Sequence, residues 1–327
     1  MPIPSPKRAF QYAVYLLART IETAVLLTPV ETGMAIGRWL GRLAWRIDKR
    51  HRRIAVSNIR QVYGDRLTER EARRLARRSF VHMGSVFAEG IYLPKLVRYD
   101  TWHRYAVFHG YGRFFRYMFR GRGAIVVTAH LGNWELASYV SSAMAFPLFS
   151  IARPPSNPFI AERVRMVREA AGGETIEKKG AWDRMEEVLE SGGILAFLAD
   201  QHAGRMGVWV DFLGRPASTH KAIALLALSM NVPIVVVYTY RIGRRFKYVL
   251  RFQEYIYPEA YADDPNAVVS ITQRFTDILG DAVMQHPDQW LWAHRRWREP
   301  RRRGRRRSNR SEITALGPAE KPGDPPS

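Results

Sequence analysis

Residues 124–135, Ala-Ile-Val-Val-Thr-Ala-His-Leu-Gly-Asn-Trp-Glu, constrain the fold of this chain more than any other stretch. Ile125, Val126 and Val127 form a continuous apolar run, as a strand buried on both faces requires. A polar turn and then a helix follow. His130 stands where the strand ends, and Glu135 comes five residues later. On one continuous helix five residues turn through about 500°, which leaves the two side chains roughly 140° apart. With His130 in the turn and Glu135 in the first helical turns, chain reversal instead brings imidazole and carboxylate together. A histidine held by a carboxylate is the arrangement that takes a proton from a hydroxyl at neutral pH. Gly132 permits close approach of the backbone to a ligand. With Asn133 it opens a helix whose free N–H groups suit an oxyanion or a phosphate.

A second apolar run, Ile194–Ala199, ends in Asp200-Gln201-His202. In open parallel sheets ligands collect at the carboxyl ends of strands. Two buried strands ending in His130 and Asp200 therefore imply one shared site. Between them the pattern predicts a helix to Ala145, a short strand over Leu148–Ile151 that delivers Arg153, a helix over 159–171, a basic turn at Lys178-Lys179-Gly180, and a helix over 182–191 ended by Gly192-Gly193. Beyond the second run come a short strand at Val208–Phe212, a helix at about 219–230, strands at Pro233–Tyr240 and Tyr248–Gln253, and a long helix over 266–286. This alternation predicts an α/β fold, with a central, mostly parallel sheet flanked by helices.

The N-terminal part reads differently. Residues 10–28 are apolar over a length that crosses a bilayer, but Arg19 and Glu22 near the middle are costly in lipid. An in-plane membrane helix, a true span and an ordinary amphipathic domain helix all stay open. From Arg38 to Arg60 basic residues crowd beside Ile36, Leu40, Leu43 and Ile47 at helical spacing, which suits either an anionic membrane surface or a solvated helix face. Thr68-Glu69-Arg70-Glu71 resembles a capping box opening a helix over 69–89. The aromatic and Arg-rich residues 91–120 fit a helix packed on the sheet or an acyl-chain groove. The chain thus divides into membrane-associating helices (1–60), a main domain (61–299) and a basic tail (300–327). The tail lacks any periodicity and is expected to be disordered.

The formal net charge of +21 predicts anionic partners: nucleic acid, an acidic protein or an anionic membrane surface. Seven arginines and Lys321 against three acids give the tail +5, which leaves +16 on the rest. The charge is therefore a property of the body. The absence of cysteine excludes disulfides, a thiolate nucleophile, zinc–cysteine sites and lipoprotein-type lipid attachment. A non-catalytic nucleic-acid-binding protein is the alternative that the charge allows. It would have no recognisable helix-turn-helix, finger or RNA-binding motif, so no specific nucleic acid is expected.

Five motifs occur in order: His130-Leu-Gly-Asn-Trp-Glu135, Ala152-Arg153-Pro154, Asp200-Gln201, Phe212-Leu-Gly-Arg-Pro-Ala217 and Trp292-Ala-His-Arg-Arg-Trp297. Together they resemble the bacterial lipid A biosynthesis acyltransferases, the lauroyl or myristoyl late acyltransferases of the lysophospholipid acyltransferase superfamily. The resemblance covers about residues 10–298 and implies a glycerolipid-acyltransferase-like fold. It implies an O-acyltransferase at the cytoplasmic face of the bacterial inner membrane, with no cofactor and no metal. The donor would be acyl carrier protein, an acidic and transient partner, or acyl-CoA. The acceptor would be a hydroxyl of a lipid A precursor or a related glycolipid or phospholipid, such as a phosphatidylinositol mannoside. His130 would be the general base and Glu135 its orienting carboxylate. Gly132, Asn133, Arg153, Lys179, Asp200 and Gln201 would bind substrate or stabilise charge. One departure is local: Ser218-Thr219-His220-Lys221 stands where many members carry Thr-Pro after the Phe-Leu-Gly turn.

Overall fold

The computed structural model describes residues 5–152, 154–177 and 180–298. The chain begins with four helices, α1 (Pro6–Leu26), α2 (Val30–Ile47), α3 (Lys49–Tyr63) and α4 (Glu69–Leu96). Then follow β1 (Ala106–His109), α5 (Gly112–Met118), β2 (Ala124–Thr128), α6 (Trp134–Ala143), β3 (Leu148–Ala152), α7 (Pro158–Glu169), β4 (Glu174–Glu177), α8 (Trp182–Glu190) and β5 (Ile194–Leu198). The last third holds β6 (Val208–Asp211), β7 (Pro216–Thr219), α9 (Ala222–Met230), β8 (Ile234–Arg241), β9 (Tyr248–Ile256) and α10 (Ala267–Gln285).

Seven strands form one sheet in the order β1-β9-β8-β2-β5-β3-β4. Neighbours run parallel except β8 and β9, which are antiparallel with a register shift at Val236/Val237. β6 and β7 make a separate antiparallel hairpin. The expected α/β fold with a mostly parallel sheet is therefore present. β2 lies inside the sheet between β8 and β5, which explains its unbroken apolar run. Ile125 and Val127 face a core that also holds Leu195, Val236, Ile223, Phe275 and Leu279. Ala124 belongs to the opposite layer with Phe114, Leu148, Val235 and Phe252. Each such side chain contributes roughly 1.5–3 kcal/mol on burial, so the paired layers fix where the strand ends fall.

Several elements differ from the sequence pattern. The basic stretch 38–60 is two helices, broken at Asp48, whose carboxylate accepts the His51 N–H at 3.0 Å and caps α3. The inner face of α3 (Ala55, Ile59) joins the main core, and Asn58 donates to the carbonyls of Trp292 and His294 at 2.9 and 2.8 Å. Residues 91–120 are not one helix: α4 ends at Leu96, and Ala106–His109 form an edge strand parallel to β9. Glu174–Glu177 form the opposite edge. The capping box at Thr68 and Glu71 is present, and α4 runs seven residues past the expected end at 89. α4 crosses α2 backbone to backbone, because a Cβ at Gly84 would collide with the Gly37 carbonyl.

α1 buries none of its residues. Its two central charges are used within the protein: Glu22 pairs with Arg19 and with Arg163 of α7. Among the described residues no helix is long and apolar enough to cross a membrane. α1, α2 and α4 nevertheless expose large apolar side chains, among them Phe10 (70%), Leu17 (63%), Trp39 (57%) and Phe87 (73%). The tail, 300–327, lies outside the described residues, as do Arg153, Lys178 and Lys179.

Candidate active site

The parallel pairing of β2 and β5 builds the site. Thr128 stands opposite Leu198, so two residues further along both chains reach His130 and Asp200 side by side. The Ala199 N–H donates to the Thr128 carbonyl at 2.9 Å and extends the pairing to the turn. Asp200 then holds His130 twice. Its Oδ1 lies 2.7 Å from Nδ1 of the imidazole, and its Oδ2 accepts the His130 backbone N–H at 2.9 Å. Oδ2 also accepts from Trp290 Nε1 at 2.7 Å. The Asp200 side chain is 2% exposed and that of His130 14%.

Burial alone would raise the pKa of Asp200. The charge of His130 and the hydrogen bonds from His130 and Trp290 outweigh it and hold the carboxyl at about 2. Asp200 is thus a carboxylate at neutral pH and fixes the proton of His130 on Nδ1. Nε2 is left as the basic nitrogen, and the amide of Gln201 donates to it at 3.2 Å. The Trp134 ring packs edge-on against the imidazole, 4.8 Å between centroids.

Glu135 lies elsewhere. It sits in the first turn of α6 and makes a two-pronged pair with Arg168 of α7, at 2.5 and 3.0 Å. Trp134 Nε1 donates to the same carboxylate at 3.1 Å. The expected His130–Glu135 pairing is therefore corrected: the carboxylate on the imidazole is Asp200. The cause is the Asn133 cap, which starts α6 at Trp134 and sends Glu135 toward α7, while His130 stays with the end of β5. Glu135 and Arg168 line a small cavity of about 60 Å³ with Trp134, Ser138, Ile151 and Leu198.

Gly132 and Asn133 shape the turn between the two. Gly132 has φ of +63°, and a Cβ there would collide with the Thr239 carbonyl. Its N–H donates to the Gln289 carbonyl at 3.2 Å, so it is already engaged and does not serve an oxyanion in this arrangement. Its carbonyl accepts from His82 Nε2 at 3.0 Å. Asn133 is fully buried; its Oδ1 caps the Leu136 N–H at 2.9 Å and its Nδ2 donates to Glu89 at 2.9 Å. Both residues, expected to touch substrate, thus also hold the turn in place. The N–H groups of Trp134 and Glu135, in the first turn of α6, have no acceptor within the helix.

The C-terminal motif closes the site from below. Arg296, 1% exposed, donates to the carbonyls of Gln201 (3.1 Å) and Ser218 (2.6 Å) and to Thr219 Oγ1 (2.5 Å). Burial lowers its pKa to about 10, against the opposing charge of Asp200. His294 Nε2 accepts the His202 N–H at 3.1 Å, and burial holds its pKa down at about 4.

The family model for bacterial lipid A biosynthesis acyltransferases matches residues 5–299. The chain belongs to that family. Within curated relatives of this acyltransferase family member, phosphatidylinositol mannoside acyltransferase of Mycobacterium tuberculosis is 25% identical over 181 residues, which is 54% of this chain and 55% of that protein. The protein of the same name from Mycolicibacterium smegmatis is 24% identical over 181 residues, 54% of this chain and 57% of that one. The chain spans about half the length of the curated relatives it matches. The solved 1-acyl-sn-glycerophosphate acyltransferase of Thermotoga maritima covers 79% of this chain and 99% of its own, at 14% identity and a TM-score of 0.38.

Sequence reasoning missed four polar residues around the site. Arg168 gave no signal, because only the packing of α7 against α6 brings it to Glu135. Glu89, Arg241 and Tyr248 form a buried cluster behind the turn. Glu89 accepts from Tyr248 Oη at 2.7 Å and from Asn133, and pairs with Arg241. A charged residue in mid-helix among apolar neighbours was the available sign for Glu89.

Proposed function

We propose that this chain is a membrane-associated O-acyltransferase that moves a fatty acyl group from acyl carrier protein or acyl-CoA to a hydroxyl of a lipid A precursor or a related phosphorylated glycolipid. The observation that carries this reading is the His130–Asp200 pair, with Nε2 directed away from the carboxylate toward the amide of Gln201. In the proposed reaction the acceptor hydroxyl takes the place of that amide and gives its proton to Nε2. Its oxygen forms a bond to the thioester carbonyl carbon, and negative charge gathers on the carbonyl oxygen. Collapse breaks the carbon–sulfur bond, and the imidazolium returns the proton to the departing thiolate. Asp200 is the positioning carboxylate, stabilising the imidazolium. The first N–H groups of α6 are the proposed donors to the developing charge. Glu135 and Arg168 hold the wall of the adjoining cavity against α7, and in this reading Glu135 acts by shaping that wall.

The membrane reading is supported by the apolar side chains that α1 and α2 leave exposed beside their basic residues. It puts the protein on the cytoplasmic face of the inner membrane, lying on the bilayer and not crossing it through α1. The acidic carrier protein fits the +21 charge. Arg153 and Lys179 stay proposed ligands for acceptor phosphates. The names of the mycobacterial relatives favour a second acceptor, a phosphatidylinositol mannoside.

The test is acyl transfer in detergent from a labelled acyl carrier protein, and in parallel from acyl-CoA, to a panel holding lipid A precursors and phosphatidylinositol mannosides. Labelled lipid from the native protein and none from His130→Ala supports the reading and names the acceptor. Equal transfer by both proteins removes His130 from the chemistry.

A further inference from the structure

On the far side of the His82–Gly132 contact lies a second cavity, of about 420 Å³. Three separate segments wall it with arginine. α2 supplies Arg38 and Arg42, one helical turn apart, and α4 supplies Arg74, Arg77 and Arg78. Arg241 and Arg244 come from the end of β8 and the turn after it, and Asp288 is the one acid among the described lining residues. The glycine crossing of α2 on α4 is what brings the two helical sets so close.

Packing like charges into one concavity costs free energy unless something anionic joins them. Arg38, Arg42, Arg77, Arg78 and Arg244 have no ion pair among the described residues. Burial, then the charges of Arg241, Arg244 and Arg42, lower the pKa of Arg38. Arg241 gives an independent sign. Its side chain is 8% exposed, and one guanidinium nitrogen, Nη1, engages Glu89. The other, Nη2, is buried with no hydrogen-bond partner among the described residues. A buried donor left unmet costs about 1–3 kcal/mol, more when charged.

We propose that this arginine cavity is a binding site for clustered phosphate groups, distinct from the His130 site. Guanidinium forks match phosphate oxygens two at a time, and a diphosphate or a pair of phosphate esters brings several charges into a small volume. The ligand meets Arg241 at the floor and the arginines of α2 and α4 around it. Two sources present this chemistry: the phosphates of a coenzyme-A-type acyl donor and a phosphorylated lipid headgroup. The proposal does not rest on the acyl-transfer reading, because binding is measured without turnover.

The experiment is calorimetric titration of the full chain in detergent with inorganic pyrophosphate at low salt. The paired variants are R38Q/R42Q and R77Q/R78Q, with R52Q/R53Q, from another arginine-rich surface, as the charge-matched control. Each variant is first shown to melt at the native temperature; the second pair is exposed, so it answers the question even where the first disturbs folding. The site predicts that both cavity pairs weaken binding roughly tenfold or more, while the control changes it less than about twofold. Equal weakening by all three pairs means a diffuse field and overturns the site, as does absence of binding to the native chain. Competition then distinguishes the sources. Displacement of pyrophosphate by coenzyme A assigns the phosphates to a soluble donor, and displacement by phosphatidylcholine vesicles containing phosphatidic acid assigns them to a lipid headgroup. Displacement by neither contradicts a built phosphate site.

Discussion

His130 and Asp200 meet because Thr128 and Leu198 are paired in register two residues earlier, on neighbouring parallel strands. The pairing depends on the sheet and not on the short loop after β2. Asp200→Asn keeps the shape but removes the charge that stabilises the imidazolium, and it allows the wrong tautomer of His130. The turnover number is expected to fall by about 10²–10⁴, the range of a lost acid–base contribution, with KM changed little. Steady-state acyl transfer at saturating donor measures it.

The same carboxylate has a signature in stability. The folded-state pKa of Asp200, about 2, lies below its ordinary value of 3.8. A depressed carboxylate stabilises the fold fully above its unfolded pKa and loses that contribution as pH falls through the folded one. Of the order of 2 kcal/mol should disappear between about pH 4 and pH 2. Urea unfolding across that interval should show the loss in the native protein and a smaller one in Asp200→Asn.

Glu135 and Arg168 should behave as one unit. Each alone, as Glu135→Gln or Arg168→Gln, lowers kcat/KM, because the remaining partner is left without its mate in the cavity wall. The double variant should be no worse than the poorer single one, a coupling of about 0.5–3 kcal/mol. Additive losses would mean that the two side chains act separately.

Glu89 is a stability prediction. Glu89→Ala removes the counter-charge of Arg241 and the acceptor for Tyr248 and Asn133 inside a closed cluster. Leaving a buried charge unpaired costs about 3–5 kcal/mol. Glu89→Gln retains part of the hydrogen bonding and should cost less. Equilibrium urea unfolding of the two variants in mild detergent checks both the size and the order.

The interior strands were legible from sequence because they are buried on both faces. Ile125–Val127 and Ile194–Leu198 read as continuous apolar runs, and their ends named His130 and Asp200. The edge strands were not: Glu174–Glu177 is four residues with a charge at each end, and Ala106–His109 sits among aromatics that mimic a helix face. The partner of His130 was misjudged for a related reason. Glu135 is close along the chain, whereas Asp200 is close only through strand register. The cap role of Asn133 and its tie to Glu89, a residue 44 positions away, were likewise hidden along the chain. Asp48 was hidden inside a basic run, where one acid gave little sign of ending one helix and capping the next.

The central claim, that His130 is a base held by Asp200, is tested most directly by the imidazole itself. Nitrogen-15 histidine labelling of the full chain in detergent, read by proton–nitrogen NMR, follows the Nδ1 proton of His130, assigned by its loss in His130→Ala. A proton donated to a buried carboxylate at 2.7 Å should resonate far downfield. The signal should persist in Glu135→Gln and vanish in Asp200→Asn. A signal that survives Asp200→Asn and disappears in Glu135→Gln would contradict the account and return the imidazole to Glu135.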